Sequence, residues 1–239
     1  MSRECATDFK RIKNYINGYR ISVNLEEDDF ISSLKKMHKC YFSTVTWNAE
    51  LMHKKDNFLK LNANCNDDII NLISEAASDL GSSLFNWANG NYKASRVMLR
   101  ISIENFIRGI SGIETSDQLT EKNVYKLFDT ASTQNIFSDN SAVNQCYNSL
   151  RSDYKLLCKD AHTATLQNMA HLSSLADLPT FEKNKSEKAA EVFVRTSKNI
   201  TTIFNLLFNS FYHKMHHRNK ENVINSLSSE VKPLIVSPN

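Results

Sequence analysis

Residues 66–112 read NDDIINLISEAASDLGSSLFNWANGNYKASRVMLRISIENFIRGISG, and this stretch decides the fold. Asn66 followed by Asp67 and Asp68 supplies an N-cap and an acidic first turn, which offset the positive end of a helix dipole. Ile69, Ile70, Ile73, Ala76, Ala77, Leu80, Leu84 and Trp87 then recur at steps of three and four, the spacing of one helical face. Asn89-Gly90-Asn91 interrupts that face, and a second one follows through Leu99, Ile103, Phe106, Ile107 and Ile110 to Gly109 and Gly112. Two long amphipathic helices joined by three turn residues make an antiparallel αα-hairpin.

The same reading extends in both directions. Upstream, Glu26 to Asp29 open a helix carrying Phe30, Ile31, Leu34, Met37 and Tyr41, continuing through Trp47, Leu51 and Phe58 to Leu61. Downstream, Ser116 is expected to cap a short helix through Leu119, Val124, Leu127 and Phe128, followed by a polar loop from Thr130 to Asn140. Val143, Tyr147, Leu150, Tyr154 and Leu157 mark another helix, and residues 166–178 a further short one ended by Pro179. Asn184-Lys185-Ser186-Glu187 has the form of a capping box, opening a long helix through Val192, Phe193, Ile200, Ile203, Phe204, Leu207 and Phe211. The expected organisation is an N-terminal helical extension at 1–65, a helical domain at 66–227 and a tail at 228–239 that lies outside the core, or whose Val231 to Val236 pack back or add to a partner.

Composition supports an all-α chain. Of 239 residues only 5 are Gly and 3 Pro, where average usage would give roughly 17 and 12. Sandwiches, barrels and propellers need more turn residues than that. With Lys+Arg at 29 against Asp+Glu at 26, the net charge of +3 is too small for a protein that coats nucleic acid, so any such contact must come from a local patch. Five widely spaced cysteines with no C-x-x-C pair suit neither a disulfide framework nor a zinc site. No apolar stretch is long enough for a membrane span, and the start lacks a signal-peptide core, so a cytoplasmic protein without membrane contact is expected.

Two segments concentrate chemistry. Arg96, Arg100, Glu104 and Arg108 follow one another at steps of four, so neighbours on that helix face can pair. In Tyr154-Lys155-Leu-Leu157-Cys158-Lys159-Asp-Ala-His162-Thr163, Lys155, Lys159 and His162 share a helical face away from Leu150, Tyr154 and Leu157. Two ammonium groups beside an imidazole suit a phosphate, and the imidazole can move a proton near neutral pH. His213, His216 and His217 are spaced for a metal, but no carboxylate accompanies them and Lys214, Arg218 and Lys220 would repel a cation. The preferred reading there is a basic helix end touching a nucleic-acid backbone through Lys214 and Arg218. No metal and no cofactor are expected.

The helix, the Gly90-Asn91-Tyr92 turn and the run Lys93 to Glu104, followed some fifty residues later by Tyr154-x-x-Leu157-Cys158-Lys159-x-x-His162-Thr163, resemble the HEPN superfamily. The resemblance implies an α-helical bundle, a homodimer and a role in toxin–antitoxin, abortive-infection or other phage-defence systems, where many members are metal-independent ribonucleases. The family's Arg, four to six residues, His signature is missing; the nearest variant is Lys155, six residues, His162. Lys keeps the charge but loses the planar fork that grips phosphate. On this resemblance the ribose 2′-OH of an RNA substrate would attack the adjacent phosphorus with His162 as general base or acid. Lys155, Lys159 and Arg100 would stabilise the phosphorane charge, Glu104 would orient a basic partner, and Arg96 would contact the strand. The alternative is a non-catalytic accessory or regulatory module bound to a larger defence-system protein.

Overall fold

In a computed structural model, which describes residues 14, 17–161 and 174–237, the chain is all-α, with no strand among the described residues. The hairpin forms as its sequence requires. Helices α3 (Asp67–Ala88) and α4 (Tyr92–Glu114) pack along their whole lengths, their N-termini capped by the side chains of Asn66 and Asn91. Gly90 makes the turn at φ +74°, and a Cβ there would collide with the Thr180 carbonyl oxygen, so neither backbone nor space admits another residue. Small polar groups close the seam: Ser102 Oγ donates to the Ala76 carbonyl (2.7 Å) and Asn105 Nδ2 to the buried Asp79 carboxylate (2.9 Å). Burial nevertheless holds the Asp79 carboxyl above its ordinary pKa, against the pull of Asn105.

Two long helices lie against this hairpin. These are α1 (Asp28–His53), continued after a break at Lys54 by α2 (Lys55–Leu61), and α8 (Lys183–Leu207), which packs on α1, α4 and α7 (Ser141–Ala161). Between them sits an aromatic cluster. Trp47 stacks on Phe204 (centroids 4.4 Å apart, 9° between planes), while Phe58 packs edge-on against Phe208 and Phe211, and Phe106 against Phe204. Each such ring taken out of water contributes on the order of 2 kcal/mol, with edge and stacked geometries adding to the area term. Residues 28–61 of the expected extension therefore share one hydrophobic core with the hairpin.

Several sequence expectations change in detail. Ser116 opens only a 3₁₀ turn, Ser116–Thr120; the helix α5 (Val124–Ala131) is separate and capped by Asn123, whose side chain accepts from two backbone N–H groups. The polar loop contains the short α6 (Asn135–Ser138). Helix α8 starts at Lys183 rather than behind an Asn184 cap, because Tyr92 Oη holds the Glu182 N–H (3.1 Å) and pins the preceding residue in place. The tail packs back through Ile235, with Val231 partly buried beside the core. After α9 (Asn209–His213) and α10 (His217–Ile224), the final helix α11 (Lys232–Val236) buries Ile235 completely, and Asn209 Nδ2 donates to its carbonyl. No helix among the described residues is long and apolar enough to cross a membrane.

Candidate functional site

The helix α7 owes its orientation to a buried carboxylate. Asp153, 2% exposed, is gripped by the Arg195 guanidinium and by Thr196 Oγ1 of α8, and the pairing holds Arg195 above its ordinary pKa. Tyr147 on the same helix donates to the Phe128 carbonyl (2.6 Å), which ties α7 to α5. With Asp153, Leu150 and Leu157 turned inward, the face carrying Arg151, Lys155 and Lys159 at steps of four turns outward.

That face borders a cavity of about 560 Å³ between α4, α5 and α7. Five cationic side chains line it, Arg100, Lys122, Arg151, Lys155 and Lys159, against one carboxylate, Asp129. The chain's charge of +3 is thus locally concentrated rather than spread. Its remaining lining includes the rings of Phe128, Tyr154 and Tyr125, with Tyr125 80% exposed at the rim. The volume falls within the range of small-molecule sites.

Arg100 forms the inner end. Its Nη1 donates to Tyr154 Oη (3.3 Å) and its guanidinium carbon lies 5.7 Å from the Tyr154 ring centroid, a cation–π arrangement. Burial pulls the Arg100 pKa down, but Tyr154 and Cys158 beside it overbalance that and hold it above its ordinary value. The Tyr154 phenol is pushed up, first by burial and then by Cys158, despite Arg100 acting the other way. It is therefore neutral at physiological pH. At the rim, Arg151 Nη2 pairs with Asp129 Oδ1 (2.5 Å), leaving the guanidinium beside the opening.

Of the residues singled out by sequence, the fold brings Arg100, Lys155 and Lys159 together around this one cavity. Glu104 is outside the lining, though its charge acts on Arg100 and Tyr154: its carboxylate pairs with Arg108 Nη2 (2.9 Å), and Arg108 also donates to the carbonyls of Gln118 and Glu121. Arg96, half-buried one turn earlier on α4, is outside the lining. His162 lies outside the described residues. Lys214, just after α9, and Arg218, on α10, are outside the lining; α10 packs against α1, Lys54 Nζ donates to the Lys214 carbonyl and Asn219 to Glu50. Among the described residues no group of His, Cys, Asp or Glu is placed to hold a metal ion.

Arg151, Lys122, Asn123 and Tyr125 were missed by sequence reasoning. For Arg151 the signal was available, since it continues the Lys155, Lys159 row one turn back. Lys122 and Tyr125 carried none, because they reach the cavity through a chain reversal whose geometry the Arg108 contacts set. Compared with protein-family models, curated proteins and solved structures, the chain has no match among them.

Proposed function

We propose that the chain acts on single-stranded RNA as a HEPN-like protein of the phage-defence or toxin type, with the α4–α5–α7 cavity as its RNA site. The observation that carries this reading is the cluster of Arg100, Lys122, Arg151, Lys155 and Lys159 around one aromatic-lined cavity in a chain of nearly balanced charge. Cations grip phosphate, and exposed rings such as Tyr125 stack bases, the combination that single-strand binding uses. Arg100, half-buried and permanently charged, is placed to stabilise charge on a phosphate inside the cavity.

Cleavage would be metal-independent, by attack of the 2′-OH, and would need a group that takes up a proton near pH 7. The Tyr154 phenol, pushed up by burial, stays protonated there and is not that group. His162, three residues beyond Lys159, is the side chain assigned to that step. The same observation favours a second reading, in which the cavity binds RNA without cutting it and the chain is an accessory module of a larger defence complex.

Incubation of the purified chain with labelled single-stranded RNA, in the presence of a chelator, separates the two. The ribonuclease reading expects cleavage that falls by at least about a hundredfold in His162→Ala while binding persists. Binding without cleavage in both proteins leaves the accessory module. Absence of binding overturns both.

A further inference from the structure

The donor character of the cavity wall carries a prediction about which base it takes. Asn123 caps α5, and its Oδ1 accepts from the backbone N–H groups of Tyr125 (3.0 Å) and Lys126 (3.3 Å). With both N–H groups on the oxygen, what the Asn123 side chain has left for a ligand is its NH₂, a pure donor. Asn123 lines the cavity, as do Lys122, Arg100, Arg151 and Lys155, which are also donors only. The carboxylate of Asp129 is the one acceptor-only side chain on the wall, and Arg151 holds its Oδ1.

A base entering such a site meets donors nearly everywhere. Adenine, cytosine and guanine each bear an exocyclic amino group with two hydrogens, of which the free oxygen of Asp129 can accept one while the other faces donors. Uracil bears none. Its two carbonyl oxygens accept from the Asn123 amide and the neighbouring cations, while its single N3–H has Asp129 as acceptor. Tyr125, 80% exposed beside Asn123, offers a ring for stacking. The phosphate falls to Arg100, Arg151 and Lys155.

We propose that the cavity is a uridine-nucleotide site, with Asn123 as the residue that reads the base. This deepens the RNA reading and rests on it in one respect only: whether the uridine belongs to a strand or is free. The shared chemistry is a uracil ring and a phosphate held in one pocket.

The experiment measures affinities of the full chain for 2′-O-methyl oligo(U) and oligo(C), which resist 2′-OH cleavage, and for UMP and CMP. Wild type is expected to bind oligo(U) about tenfold more tightly than oligo(C), with Asn123→Ser lowering oligo(U) to the oligo(C) level. Ser keeps the helix cap but carries no amide, and Asn123→Asp, an equally good cap, is the second variant should the first melt early. Equal affinity of wild type for the two oligonucleotides overturns base selection and leaves the RNA site standing. Selection of UMP over CMP that Asn123→Ser abolishes, without binding of either oligonucleotide, supports the uridine site and overturns the RNA reading instead. A preference for U that survives both variants overturns the role of Asn123, and failure of all four probes overturns the proposal.

Discussion

Arg100 and Arg108 stand two turns apart on the same helix and do opposite work. Arg108 is surrounded by acceptors: the Glu104 carboxylate and the carbonyls of Gln118 and Glu121. Its charge is neutralised inside the protein, and it fixes the chain reversal that carries Lys122 and Asn123 toward the cavity. Arg100 faces the neutral phenol and ring of Tyr154 and lines the cavity. A phenol orients a guanidinium without cancelling its charge. What surrounds an arginine, more than its place in a charged row, decides whether it holds the fold or serves a ligand.

Breaking the comparison at its structural end gives the largest effect. Arg108→Met leaves Glu104 and two carbonyls without their donor, and it is expected to destabilise the fold by about 2–3 kcal/mol, read as an earlier urea midpoint. At the other end, Arg100→Gln is expected to lower RNA affinity about tenfold while moving stability by less than about 1 kcal/mol. A variant pair that lost stability and affinity together would erase the distinction. The outer cations sharpen it in smaller steps: Lys155→Ala or Lys122→Ala is expected to reduce the slope of log affinity against log salt by about 0.7 each, the contribution of one contact to a single-stranded phosphate. Replacing Lys214 or Arg218 in the same titration is expected to leave the slope unchanged.

The sequence made the hairpin legible because both arms signal their ends locally, through Asn66, Gly90 and Asn91, and their faces through a long unbroken period. The burial of Ile235 and the sharing of Trp47 with Phe204 were not legible in that way. They depend on contacts more than a hundred residues apart, or on how a short terminal helix folds back, and no local pattern encodes either. The candidate site divides along the same line. Lys155 and Lys159 are visible as one helical face, and Arg100 as a member of a charged row whose spacing leaves open which arginine Glu104 takes. Pairing at four-residue spacing is available to either neighbour, and only the carbonyls of residues 118 and 121 decide that Arg108 takes the geometry that it does. Asn123 falls, in the sequence reading, inside the short helix expected from Ser116; its fixed amide is a property of the cap that the fold makes of it.

Photocrosslinking tests the central claim most directly. A short single-stranded RNA carrying 4-thiouridine, irradiated with the full chain and mapped by mass spectrometry, is predicted to attach to the cavity peptides at Tyr125, Phe128 or Tyr154, and to lose that attachment in Arg100→Gln. Crosslinks concentrated instead on the basic end around Lys214 and Arg218, unaffected by Arg100→Gln, would contradict it.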